Sequence, residues 1–398
     1  VNWRFKIGIY PWRSFNQTKL LQSGTQFFEE LLDCIHNSKF EIQFQVYIFE
    51  WDKTGKKIWK ALEAAAHKGV LVNLHLDAYG SSSFLSIIQK FQLHPNLRIQ
   101  FYSPFKLWSK QPMGMRLHHK IMVFDRQIAL IGGINIANHY SGFDGSKPWL
   151  DYAIKLSGEI AKDLNRICLK TGNRFKKVRS EPIQSNASLN IGSNREENHI
   201  RVLENNWLKG KFGISKQYKV QTRRCKNELW IINSYFVPSN ALLRLLKKAA
   251  YRNVSVNLIL GGQSDVNLVK HASEYFYKDL LKAGINIYEY KASILHAKLA
   301  YADDNWMCIG SYNLNHLSDF GSIECNVEIR NEVVVKKCKT ELLLNTLPYC
   351  NKIQANTFSH SNSHIRKLRN FLSFQLLRIL LNLLFFFQKS NKKLNKET

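Results

Sequence analysis

Apolar and polar residues alternate from Phe40 to Phe49, with Phe40, Ile42, Phe44, Val46 and Ile48 on one side. A period of two predicts a strand. A helical stretch from Lys56 to Lys68 follows, then an apolar run from Val70 to Leu76 that predicts a second strand. The same order returns further on: a strand over Glu228 to Phe236, a helix over Asn240 to Arg252, and a strand over Val254 to Leu260. Val70 matches Val254 and Tyr47 matches Tyr235 at nearly the same offset, so the chain reads as an internal duplication. Strand–helix–strand units imply α/β layers around partly parallel, mixed sheets. The polar stretch Arg179 to Asn198 has linker composition, as does Asn351 to His364. These features divide the chain into a first α/β domain over 1–185, a second over 186–350 and a tail over 351–398.

The tail differs in kind. Phe371 to Phe387 is apolar apart from Ser373, Gln375, Arg378 and Asn382, and the last three form one narrow helical stripe continued by Lys389. Arg366, Lys367 and Arg369 flank it on one side, and Lys389, Lys392, Lys393 and Lys396 on the other. Seventeen helical residues span roughly 25 Å, marginal for a bilayer, and Arg378 sits near the middle. The pattern predicts a helix lying in an anionic membrane surface; packing on the protein's own core is the alternative. The run Phe385 to Phe387 reads as membrane or core contact.

With 45% hydrophobic residues, wholesale disorder is excluded. The net charge of +27 makes a small neutral partner an insufficient account and points to phosphate-bearing polymers or anionic membranes. Seven cysteines, an odd count without metal-ligand spacing, argue against a disulfide framework and structural zinc. Val1 to Tyr10 lacks the apolar run of a signal peptide, and an opening Val leaves upstream residues, an anchor among them, open.

Each half carries one His-x-Lys-x4-Asp string: His118, Lys120 and Asp125 in the first, His296, Lys298 and Asp303 in the second. Each is followed at equal distance by a small pair, one further residue and Asn: Gly132, Gly133 and Asn135, then Gly310, Ser311 and Asn313. His and Lys two apart on a strand share a face, so imidazole and ammonium converge. An ammonium holds a phosphate oxygen, the small pair leaves backbone N–H groups accessible, and Asn adds an amide donor. Two such halves face to face supply one histidine to attack and one to protonate the leaving oxygen. The set needs no metal and no other cofactor. His119, beside the first motif, points to the opposite strand face and reads as packing. Glu50 reads equally as a binding residue or a strand-end charge.

This duplicated string resembles the paired HKD motifs of the phospholipase D superfamily. Tyr47 to Glu50, Ala64 to Asp77, Gly80-Ser81, Trp149 to Asp151, Tyr235 to Pro238 and Gly284 to Tyr290 are similar to its bacterial cardiolipin synthase branch. The resemblance covers roughly Leu20 to Leu343. It implies two phospholipase D-like α/β/α sandwich domains with the active site at their interface, and metal-free phosphatidyl transfer through a phosphohistidine. By the resemblance, His118 would be the nucleophile and His296 the acid, then base. Lys120, Lys298, Asn135 and Asn313 would bind phosphate, Asp151 and Glu328 would orient the histidines, and Asp125 and Asp303 would support the motifs.

Three positions depart from the branch: Asn315 for a common Asp, a longer stretch over His316 to Ser322, and Asn253 where Gly is usual. They put acceptor specificity in doubt. The N-terminal pair of membrane helices of some cardiolipin synthases is absent, as in a short-form member. The expected partners are anionic phospholipids (phosphatidylglycerol and cardiolipin) and the anionic membrane, at its cytoplasmic face, with no obligate protein partner. Phospholipid hydrolysis, a superfamily nuclease and an inactive membrane scaffold remain the alternatives. The apolar tail disfavours nucleic acid as substrate.

Overall fold

The computed structural model describes residues 7–14, 16–103, 115–172, 199–356, 358 and 364–394, the last eleven for backbone only. Strands of the first half are β1 Gln17–Gln22, β2 Glu41–Val46, β3 Leu71–Asp77, β4 Leu97–Tyr102, β5 Arg116–Leu117, β6 Lys120–Phe124, β7 Ile128–Gly132 and β8 Tyr152–Ser157. Those of the second are β9 His199–Asn206, β10 Lys211–Phe212, β11 Glu228–Asn233, β12 Ser255–Gly261, β13 Asn286–Tyr290, β14 Lys298–Ala302, β15 Trp306–Gly310, β16 Ser322–Arg330 and β17 Cys350–Lys352.

The first sheet runs β1-β8-β7-β6-β2-β3-β4, and the second runs β10-β9-β16-β15-β14-β11-β12-β13-β17. Setting aside β10 and β17 at the edges, the two orders are the same, strand for strand. β2, β3 and β4 are parallel neighbours, as are β11, β12 and β13, and the other pairs along each order are antiparallel.

Local chemistry sets the element ends. Asp52 caps the helix Lys53–His67 by accepting from Gly55 N at 2.9 Å, and Ser239 caps Asn240–Tyr251 through Leu242 N. After those helices the chain reverses through Gly69 (φ +95°) in the first half and Asn253 (φ +64°) in the second. Asn is the residue after glycine best suited to that left-handed conformation, so the substitution at 253 is a backbone solution at a helix end. Asn315 likewise acts as a helix cap, accepting from Ser318 N at 2.9 Å.

One hydrophobic cluster lies between the two sheets and belongs to both halves. It joins Ile121, Ile131 and Ile154 to Val202, Leu299, Ile309 and Val327, closed by the helices Glu159–Gly172 and Glu332–Thr346. Two further clusters lie on the outer faces, one per half. Because β2 has helices on both sides, its polar positions Gln43 and Gln45 are buried too. His119 is fully buried on that inner side, with Nε2 2.6 Å from Gln45 Oε1, and burial pushes its imidazole down to about 3. It is a packing residue, as its strand face implied.

The sequence-based boundaries shift at both ends. Tyr10 and Arg13 pair with Val202 and Ile200 of β9, so residues 7–13 dress the second sheet. β17 completes that same sheet, and Phe358 is buried in its outer core. The tail therefore begins inside the second unit. The 179–198 stretch and the side chains of Phe385 to Phe387, Lys389, Lys392, Lys393 and Lys396 lie outside the described residues.

The tail helix, His364–Leu394, docks on the helix Asn267–Glu274. Arg366, Arg369 and Asn370 all reach Glu274 Oε2, at 3.1 to 3.5 Å. Phe374 stacks on Tyr275 with centroids 4.8 Å apart. Two of the cations expected to face a membrane thus hold the helix to the protein. No helix among the described residues is long and apolar enough to cross a membrane.

Candidate active site

The two motifs meet across the seam between the halves, and each is held by the other half. Leu117 lies beside Ile323 of β16, and the N–H groups of His118 and His119 both donate to the Ile323 carbonyl. In the mirrored place, Leu295 lies beside Leu150, and His296 N donates to the Leu150 carbonyl at 2.7 Å. The residue after each of these contacts is a carboxylate. His118 Nδ1 lies 3.0 Å from Glu324, and His296 Nδ1 lies 2.6 Å from Asp151. The pairing is therefore crossed: each half supplies the counter-charge for the other half's histidine.

Holding Nδ1 this way leaves Nε2 as the nitrogen available to a substrate. Burial lowers both imidazoles, His296 far more, and the neighbouring ammoniums act in the same direction on His296. Burial raises Asp151 to about 7. Burial thus drives both this imidazole and this carboxylate toward their neutral forms. His118 also lowers His296, which places the two rings in one electrostatic neighbourhood.

Lys120 and Lys298 are almost wholly buried. Each ammonium turns back to the carbonyl of its own motif histidine, Lys120 at 2.6 Å. Lys298 Nζ is also 2.9 Å from His296 Nδ1. Burial lowers Lys120 to about 7 and Lys298 to about 8. The ring of Tyr47 lies 5.1 Å from His118 and 5.3 Å from Lys120 Nζ. Tyr235 stands likewise, 5.8 Å from both His296 and Lys298 Nζ.

The small pairs work differently from the expectation. Gly133 N and Ser311 N donate to strand carbonyls of Tyr152 and Cys325, so they offer no donor to phosphate. They admit the carboxylates instead. A Cβ on Gly133 would lie 2.5 Å from both Asp151 oxygens. Ser311 Oγ donates to Glu324 at 2.5 Å, joined by Ser318 Oγ at 2.7 Å. Asn135 accepts from Ile48 N and donates one of its two amide hydrogens to Tyr140 OH at 2.9 Å. That hydroxyl lies 3.4 Å from both nitrogens of His296. Asn313 accepts from Ser234 Oγ at 3.2 Å.

Three expected residues lie elsewhere. Glu328 sits four residues, about 13 Å, along β16 from Glu324, where it accepts from Arg201 Nε at 2.7 Å and Trp306 Nε1 at 2.8 Å. Asp125 and Asp303 close the far ends of their hairpins in left-handed conformation, φ +50° and +48°. Asp125 accepts from Lys39, Phe40 and Glu41 N–H groups, and Asp303 from Lys226, Asn227 and Glu228, all within 3.0 Å. Each ties a hairpin tip to the start of the neighbouring antiparallel strand, β2 or β11, about 16 Å from the lysine of its motif. Neither aspartate bonds to a histidine or lysine of its motif; the hydrogen bonds described for both carboxylates go to backbone N–H groups. Glu50 is half-buried, and burial and Asp52 raise its carboxyl.

The sequence reading missed Glu324, Tyr140 and Arg116. Arg116, His118 and Lys120 alternate on one face, a pattern visible in the chain. The Arg116 guanidinium lies 3.6 Å from Asp77 and 5.1 Å from the Tyr79 ring.

The family described as "Cardiolipin synthase, PLD-like domain" matches residues 31–147 and 219–343, the two stretches that carry the motifs. The chain belongs to this phospholipase D-like family. Cardiolipin synthase B of Salmonella typhi is 31% identical over 80% of this chain and 78% of its own length, and that of Escherichia coli K12 is 30% identical with the same coverage. Among solved structures, phosphatidylserine synthase of Haemophilus influenzae superposes over 96% of both chains, with TM-score 0.67 and 15% identity, a likeness of fold. Within the phospholipase D superfamily, this chain is an enzyme of the phosphatidyltransferase kind.

Proposed function

We propose that the protein makes cardiolipin, moving a phosphatidyl group from phosphatidylglycerol to the hydroxyl of a second phospholipid while seated on an anionic membrane surface. The observation that carries this reading is the crossed pairing. Two imidazoles, each with Nδ1 fixed on a carboxylate, flank a pair of buried ammoniums.

In the first step His118 Nε2 attacks phosphorus. A P–N bond forms, the bond from phosphorus to the headgroup oxygen breaks, and that oxygen leaves with a proton from His296. In the second step His296 takes the proton of the acceptor hydroxyl. That oxygen bonds to phosphorus, the P–N bond breaks, and His118 is restored. Lys120 and Lys298 hold the non-bridging oxygens, with Asn135 and Asn313 at the edges. His118 takes the nucleophile's part because its side is the more open, with 15% side-chain exposure against 6% for His296.

The test is purified protein with phosphatidylglycerol labelled in its phosphatidyl part, followed by lipid chromatography with and without DNA. Labelled cardiolipin with release of glycerol is the expected result. Phosphatidic acid alone would make the enzyme a hydrolase, and cleaved DNA beside unchanged lipid would make it a nuclease.

A further inference from the structure

Beneath the tail helix, on the second half, lies a cavity of about 1100 Å³. It is as large as the upper end of ordinary ligand pockets, about 300–1,000 Å³. Trp207, Phe212 and Phe320 form its floor, and Leu377 and Leu381 of the tail helix form its roof. Arg378, exposed and without an ion-pair partner among the described residues, stands at its edge.

The floor is tied to the active site through the backbone. Phe320 precedes Gly321, whose carbonyl accepts the N–H of Arg116, two residues ahead of His118. Val237, also in the cavity wall, donates its N–H to the Leu314 carbonyl, next to Asn313. The His316 to Ser322 stretch, long for the branch it resembles, supplies this part of the lining through His316 and Phe320.

The roof helix is apolar on its outer side as well. Ile365, Leu368, Leu372, Leu376, Ile379 and Leu383 follow one another at spacings of three and four, and each is 48 to 81% exposed. A row of this length open to solvent marks an interaction face. It lies on the side of the helix opposite Phe374, Leu377 and Leu381. A chain carrying +27 repels a second copy of itself and attracts anionic lipid.

We infer that the cavity beneath the tail helix holds an acyl chain of the phospholipid substrate, drawn from the bilayer on which the helix's outer row rests. This inference depends on the phosphatidyl-transfer reading above. Its occupant is amphiphilic: apolar walls take the hydrocarbon, the cation Arg378 faces the charged surface of the bilayer, and the head group extends toward the active site.

The test uses the full chain and phosphatidylglycerol with dibrominated acyl chains in mixed micelles. Bromine quenches indole fluorescence on contact, so quenching should occur and the Trp207→Phe variant should lose a distinct share of it. Ala241 also lines the cavity, so Ala241→Phe places a ring in it. It should abolish the Trp207 share and slow transfer from long-chain phosphatidylglycerol at least tenfold, while transfer from the dihexanoyl lipid stays within about twofold. Arg378→Gln, at an exposed position, should weaken binding to anionic vesicles severalfold. If wild type transfers both lipids and Ala241→Phe slows them equally or not at all, the acyl-chain assignment is overturned and the transfer reading stands. If wild type transfers neither, the transfer reading itself fails.

Discussion

The two halves share strand order, motif and histidine–carboxylate pairing, yet they surround their histidines differently. Around His296 the walls are closed and aromatic, with Tyr140, Trp149 and Tyr235 all within 6.0 Å of the ring centroid. Around His118 the side is more open and carries Arg116, where the second half has Ile294. The carboxylates differ in step with their seats. Short Asp151 fits against Gly133, and Glu324, longer by one methylene, is held by Ser311 and Ser318. A duplicated frame has been specialised by neighbours: a cationic side suited to an anionic phosphate, and an enclosed side suited to handling one proton.

The largest expected effect tests that division directly. His118→Ala and His296→Ala should each lower turnover by about 10³-fold or more, since attacking group and proton carrier act as a unit. With His296→Asn, radiolabelled phosphatidyl donor should leave label on His118, read by peptide mapping after a quench at alkaline pH. Label on residue 296 in a His118→Asn chain, and none in the reverse experiment, would exchange the roles of the halves.

Next comes the choice between two glutamates. Glu324→Gln should lower kcat by about 10²–10⁴-fold, as loss of a charge behind a catalytic imidazole does. Glu328→Gln should leave kcat nearly unchanged but cost about 3 kcal/mol of stability by stranding buried Arg201. Denaturant titration beside kinetics separates the two.

The lysines give a smaller, graded effect. In the proposed mechanism their ammonium forms hold the lipid phosphate, and burial puts their folded-state values at about 7 and 8. Affinity is therefore full on the acid side and falls as pH rises through that window. KM for phosphatidylglycerol should climb severalfold between pH 6.5 and 9. Arg116→Ile copies the second half onto the first and should raise KM at every pH by about tenfold, the worth of one charged hydrogen bond.

The smallest kinetic change belongs to the third letter of each motif. Asp125→Ala and Asp303→Ala should each cost about 2 kcal/mol of stability through lost backbone bonds. Activity below the melting range should fall less than about threefold, and a larger fall would return these carboxylates to the chemistry.

Much of this was legible in the chain. The duplication, the mixed sheets and the two His-Lys pairs follow from periodicity and spacing, because each is a local pattern. The carboxylates were not fully legible, because their placement depends on strand register. Asp151 stands two residues before Ala153, which pairs with Gly132, and Glu324 stands two before Asn326, which pairs with Gly310. Glu328 lies four residues on, an even number, so it keeps the strand face and passes every pattern test while missing the site. The roles of Asp125 and Asp303 were hidden for another reason. Adjacency in a motif suggests shared chemistry, but five residues of extended chain carry the group far from the lysine. Arg116 was within reach, two positions ahead of His118 on the same face.

Crossing the carboxylates between halves makes readiness a collective property. A histidine that found its partner within its own half would be primed whenever that half folded, in a nascent chain or a proteolytic fragment, and open to taking a phosphatidyl group from any passing lipid. Here neither imidazole has its counter-charge until both halves are folded and docked. Assembly and arming are one event, and a fragment of either half is born disarmed.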